Sequence, residues 1–180
     1  MTAGEAEIGS DEAGKGPVLG PMVAAAVRAP PGLLPDDVDD SKRLSPATRE
    51  SIAETIRDRD DIAVGLGVVS TDRIDDPETD MNTLTVAAHA EAVAAVARDG
   101  DAVVADAGDV SESRFARRVR EGLADAGSEA TVTVNAEHGA DESYPLVAAA
   151  SIVAKGRRDA RIDALDEEYV EFGPVGSGYP

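Results

Sequence analysis

Residues Gly9 to Pro21 read GSDEAGKGPVLGP. The run Ala6 to Ser10 predicts a short strand, the acids Asp11 and Glu12 stand at its end, and Gly14, Lys15 and Gly16 follow as a glycine-rich turn. Met22 to Ala29, bounded by Pro21 and by Pro30-Pro31, predicts a second strand, so the motif joins two strands. A carboxylate pair beside bare backbone N–H groups supplies oxygen ligands for a divalent cation and donors for an anion, which is what phosphate chemistry uses.

An acid pair alone carries no signal, because Asp36-Asp37, Asp39-Asp40, Asp60-Asp61, Asp75-Asp76 and Glu167-Glu168 are pairs too. The company of the first pair is what distinguishes it. Gly9, Gly14 and Lys15 satisfy the P-loop spacing, yet the position that should hold magnesium is Gly16, and two carboxylates in the loop would repel a nucleotide. Pro17 and Pro21 also oppose the long helix a P-loop opens. A P-loop-like nucleotide-binding enzyme and a non-catalytic acidic binding domain stand as the rival readings.

The chain has 180 residues, 42% of them hydrophobic but only 3% aromatic, which fits one domain (1–180) with an aliphatic core. No apolar stretch is long enough to span a membrane, the first residues lack the pattern of a signal peptide, and a cytoplasmic location is expected. With no cysteine, disulfides, thiolate nucleophiles and the usual structural zinc sites are excluded. The net charge of −19 argues against a nucleic-acid partner, since phosphate contacts need cations. That acidity is diffuse, however, and lysine is scarce, as suits a cytoplasm near molar salt, where the screening length is about 3 Å. The three lysines are Lys15, Lys42 and Lys155.

Further strands are expected at Ile62 to Val69, Ala102 to Ala105 (ending on Asp106) and Ala130 to Val134. Helices are expected from Ser45-Pro46 to about Arg59, from Met81 to Arg98 with Gly100 as its stop, from Ser111 to Ala126 with Gly127 as its stop, and from Pro145 to Tyr169. Thr71 to Asp80 reads as acidic loop or a short helix, and Asn135 to Ser143 as loop. Strands first, then alternation with helices, predicts an α/β fold with a mixed five-stranded sheet, antiparallel at the start and parallel later, flanked by helices.

Asp11, Glu12 and Asp106 are charged residues at strand ends, where burial is costly without a compensating cation. Each has a plainer reading. Asp106 could serve the turn before Ser111, for which Asp109 is the better cap, and Asp141 could be an ordinary acid near a helix N-terminus. Ser151 and Lys155 share one helix face in an otherwise small and apolar run, where a lysine could simply snorkel. His89, in an Ala-rich helix, reads as a packing or surface residue, and no Ser-His-Asp order or His-x-x-x-His spacing appears.

Six segments in order resemble the ribonuclease HII family, and its archaeal form most: Gly9 to Pro17, Asp40-Ser41-Lys42, Ala105-Asp106-Ala107, Gly139-Ala140-Asp141, Ala149 to Lys155 and Gly178-Tyr179-Pro180. The resemblance implies a ribonuclease H-like fold and four acidic active-site residues, Asp11, Glu12, Asp106 and Asp141, holding Mg²⁺ or Mn²⁺. It implies an endonuclease that hydrolyses the RNA strand of RNA-DNA hybrids and nicks 5′ of ribonucleotides embedded in duplex DNA, in DNA replication and repair. A monomer is expected. Substrate contacts would come from Gly14, Lys15, Gly16, Lys42, Ser151, Lys155 and Tyr179, whose ring would stack on a deoxyribose. The family's Gly-Arg-Gly motif departs here to Gly14-Lys15-Gly16, which keeps a charge but loses the planar fork. Family members also continue past the Gly-Tyr-Pro segment, whereas this sequence stops at Pro180.

Overall fold

The computed structural model describes residues 7–17, 19–30, 32–34, 38, 45–174 and 176. They form one five-stranded sheet in the order β3-β2-β1-β4-β5. Its strands are β1 (Glu7–Ala13), β2 (Met22–Ala29), β3 (Ala63–Val69), β4 (Ala102–Asp106) and β5 (Thr133–Glu137). The first three pair antiparallel, and β4 and β5 join parallel to β1, so the expected mixed sheet is the observed one.

The helices are α1 (Pro46–Arg57), α2 (Thr71–Ile74), α3 (Met81–Ala94), α4 (Glu112–Asp125) and α5 (Pro145–Glu168). Local chemistry sets most of their starts. The Ser45 hydroxyl accepts from the Thr48 N–H with Pro46 in the first turn, and Asp80 accepts from the N–H groups of Asn82 and Thr83. At α4 the cap is Ser111, not Asp109. The Asp109 carboxylate is instead taken up by the Arg114 guanidinium.

Three boundaries differ from expectation. Strand β1 does not stop at Ser10: its pairing with β2 continues through Asp11↔Ala25, Glu12↔Ala24 and Ala13↔Val23, so the acids lie within the strand and the turn opens at Gly14. Helix α3 ends at Ala94 rather than Arg98, where Val96 bonds back to Val93 and tightens the last turn well before Gly100. Strand β5 lies at Thr133–Glu137 rather than Ala130 to Val134, because its register on β4 sets Ala102 against Thr133 and Asp106 against Glu137. Long-range pairing, which no local pattern reports, decides the two strand boundaries.

The sheet separates two apolar layers. In β2, Ala25, Val27 and Ala29 face α1 and α5, while Met22, Ala24 and Ala26 face α3. Phe115, Val119 and Leu123 line one face of α4 at helical spacing and are buried, Phe115 completely. Gly9 has a specific duty in this packing: a Cβ there would overlap the backbone of Leu146 and Val147. Its absence lets the start of α5 lie directly on β1, which carries Ser151 up to the strand's acidic end. No helix among the described residues is long and apolar enough to cross a membrane.

Candidate active site

Consecutive residues of a strand point to opposite faces of the sheet. Asp11 and Glu12, read in sequence as a pair delivered to one point, therefore leave β1 on different sides and meet different partners. Asp11 faces α5 with Gly9 and Ala13, and Glu12 faces α3 with Ile8 and Ser10.

Asp11 is 5% exposed. Burial first, then the neighbouring charges of Glu12 and Asp106, push its carboxyl up to about 7, against the opposing hydrogen bonds of the Ser151 hydroxyl and the Glu12 N–H. That N–H donates to Asp11 Oδ1 at 2.7 Å. Lys155 Nζ in turn donates to Ser151 Oγ at 2.7 Å, so the charge of α5 reaches Asp11 through a hydroxyl. Burial also pushes Glu12 up, but the hydrogen bond and attraction of His89, together with Lys15, more than offset it and hold Glu12 below its ordinary value. His89 Nε2 lies 2.9 Å from Glu12 Oε2.

Asp106 ends β4 beside β1, and its Oδ1 accepts from the Ala140 N–H at 2.9 Å. Burial raises it above the ordinary range, the hydrogen bond from Ala140 opposes this, and Glu12 and Asp141 raise it further. The bond to Ala140 also holds the short 3-10 turn Ala140–Glu142, which brings Asp141 to the same end of the sheet. The four predicted acids thus share one electrostatic neighbourhood. As placed, no three His, Asp or Glu side chains among the described residues close around a single cation. The cluster is gathered in charge without being closed as a coordination shell. Its all-oxygen donor set suits Mg²⁺ or Mn²⁺, and the raised Asp11 and Asp106 mark a deficit that a cation would fill.

The opening turn needs its first glycine. Gly14 has φ +94°, and a Cβ there would stand 2.6 Å from the Pro21 carbonyl oxygen and 2.8 Å from Arg158 Cδ. Gly16 is different: no heavy atom comes within 4 Å of such a Cβ, so its surface is open. The Lys15 ammonium donates to the Gly108 carbonyl, tying the turn to the loop after β4. Lys42 and Tyr179 lie outside the described residues. His89 is the residue the sequence reading missed as a functional neighbour. It is fully buried rather than at the surface, and the one available signal was a lone imidazole in an alanine-rich helix.

An open depression lined by Glu12, Lys15, Asn82, Gly108, Arg114 and His138 adjoins the acids. The mixed five-stranded sheet, with carboxylates on the adjacent parallel strands β1 and β4, is that of the ribonuclease H-like fold. The ribonuclease HII family model matches residues 8–180. The chain is 56% identical to ribonuclease HII of Halobacterium salinarum over 175 residues, 97% of this chain and 78% of that relative. It is 55% identical to ribonuclease HII of Haloarcula marismortui over 172 residues, 96% of this chain and 77% of that one. Among solved structures, the PCNA:RNase HII complex from Archaeoglobus fulgidus contains a chain that superposes with a TM-score of 0.76 at 37% identity, covering 96% of this chain and 80% of that one. The chain belongs to the ribonuclease HII family, metal-dependent endoribonucleases. Relatives of such similarity in halophilic archaea agree with the salt-adapted composition.

Proposed function

We propose that the chain hydrolyses the RNA strand of RNA-DNA hybrids and nicks duplex DNA 5′ of an embedded ribonucleotide, with Asp11, Glu12, Asp106 and Asp141 holding Mg²⁺ or Mn²⁺. The observation that carries this reading is the convergence at one sheet end of Asp11, pushed up to about 7, with Asp106, also raised, and the paired Glu12. Bound there, a divalent cation supplies Lewis-acid polarisation of the phosphate and a water acidic enough to attack it. Asp11, held by Ser151 and through it by Lys155, is the carboxylate most in need of that charge.

The turn Gly14-Lys15-Gly16 reads the sugar. A 2′-OH is what separates one ribonucleotide from its DNA neighbours, so discrimination requires groups that reach the ribose itself. Open space at Gly16 supports this, because backbone there can press against a sugar without a side chain intervening. Lys15 serves by its tether to Gly108, which holds the turn beside β4. Lys155 and Lys42 position phosphates, and Tyr179 stacks on the adjoining deoxyribose. The test is incubation with a DNA duplex bearing one ribonucleotide, with and without Mg²⁺ or Mn²⁺. A cation-dependent nick on the 5′ side of the ribonucleotide is the expected result, and an intact duplex under both cations would refute the assignment.

A further inference from the structure

His89 is held on every side. Its Nδ1 lies 2.8 Å from Ser10 Oγ, and Ser10 Oγ donates to the Ala25 carbonyl at 3.0 Å, anchoring the ring to the backbone of β2. Its Nε2 lies 2.9 Å from Glu12 Oε2. Phe115 packs edge-on against it, with ring centroids 5.1 Å apart and an interplanar angle of 85°. The ring is 0% exposed, so water does not compete for either nitrogen. A fully buried imidazole with both nitrogens engaged is stiff, and the carboxylate it holds inherits that stiffness.

Resting on the nuclease reading above, we propose that His89 is a positioning residue for the reaction: through the chain Ala25–Ser10–His89 it fixes the Glu12 carboxylate on the α3 side of β1, leaving Oε1 as the oxygen His89 does not claim. Asp11, on the other face, is held by α5 through Ser151. The two consecutive acids are therefore aimed independently, one by each helical layer, although one strand carries both. Carboxylates that ligate a cation gain affinity from such a hydrogen bond, and its loss costs about 10- to 100-fold in metal affinity or activity.

Three substitutions separate the bond from the shape. His89→Phe keeps a ring against Phe115 and removes both hydrogen bonds. His89→Asn can reach Ser10 but falls short of Glu12, whereas His89→Gln places an amide N–H about where Nε2 stands. Mn²⁺ binding by calorimetry and nicking of a single-ribonucleotide duplex are measured on each, with thermal melts confirming a cooperative fold. We expect His89→Phe and His89→Asn to weaken Mn²⁺ binding about 10- to 100-fold and to lower kcat, with KM for the duplex changed by less than about twofold, and His89→Gln to recover most of both. Wild-type Mn²⁺ affinity in His89→Asn, or a His89→Gln as impaired as His89→Asn, would overturn the proposal. Because the calorimetric comparison stands without turnover, a wild-type protein that binds Mn²⁺ yet nicks nothing would refute the nuclease reading while the role of His89 is still decided.

Discussion

Asp11 and Asp101 lie at opposite ends of the same sheet and are alike in surface exposure, 5% and 6%, yet their surroundings treat the charge in opposite ways. Asp101 receives the Arg28 fork, Nε at 2.8 Å and Nη2 at 3.0 Å, and the Arg98 N–H at 2.8 Å. Burial opposes its ionisation, but Arg28 and the Arg98 N–H more than offset this and bring it below the usual carboxylate range. Asp11 has hydrogen bonds from a hydroxyl and an N–H, with other carboxylates as its near charges, and is driven up to about 7. One end of the sheet is closed with a protein cation, and at the other the proposed function supplies one from outside. Surface exposure alone does not separate these two acids: Asp11 lies deeper within the protein, and only Asp101 has a protein cation as its partner.

The sharpest way to break this comparison is to neutralise each acid. Asp11→Asn should lower cleavage at least about a hundredfold while the protein keeps its fold and, without metal, melts at a higher temperature. Wild-type turnover in this variant would remove Asp11 from the chemistry. Asp101→Asn should do the reverse, leaving Mn²⁺ affinity unchanged and costing about 3 kcal/mol in a urea melt, since it strands the guanidinium of Arg28 at 15% exposure.

The same contrast has a pH signature. Between the ordinary carboxyl value of 3.8 and about 7, folded protein holds a proton on Asp11 that the unfolded chain has released. Metal-free stability from this group therefore falls as pH rises through that window, by on the order of 4 kcal/mol in all. Asp101, with a lowered folded value, contributes stability above its ordinary range that is lost only as pH falls toward its folded pKa. Melts of wild type and Asp11→Asn without metal, from pH 4 to 8, should differ most at the alkaline end and converge at the acid end. Parallel curves would contradict the environment assigned to Asp11.

Smaller effects sharpen the picture at the opening turn. Gly14→Ala should destabilise by about 1–3 kcal/mol, because φ +94° and the Pro21 carbonyl both oppose a side chain. Gly16→Ala should melt like wild type and lose activity on the single-ribonucleotide duplex, a split that separates a fold requirement from a substrate requirement. Least in size, fold stability should climb steadily with salt as the repulsion of net charge −19 is screened, while activity passes through an optimum as phosphate contacts weaken. A melting temperature that drops between dilute and molar salt would count against the halophilic account of the acidity.

Much of this protein was determined by local sequence. Strand β2 begins and ends where its flanking prolines and apolar run indicate, Ser45-Pro46 starts α1, and Ser111 and Gly127 bracket α4. That the acids gather could be anticipated, because a charged residue among apolar strand residues is costly to bury without a partner. Even their divergence follows from the period of a strand, once β1 is known to run through them. What tertiary structure alone decided was each acid's partner. His89 reaches Glu12 across 77 residues, Asp106 takes the Ala140 N–H across 34, and Gly9 admits α5 so that Ser151 can reach Asp11. Hydrogen bonds of that kind depend on how helices settle on the two faces of a sheet, a packing outcome to which periodicity, caps and turn residues are blind.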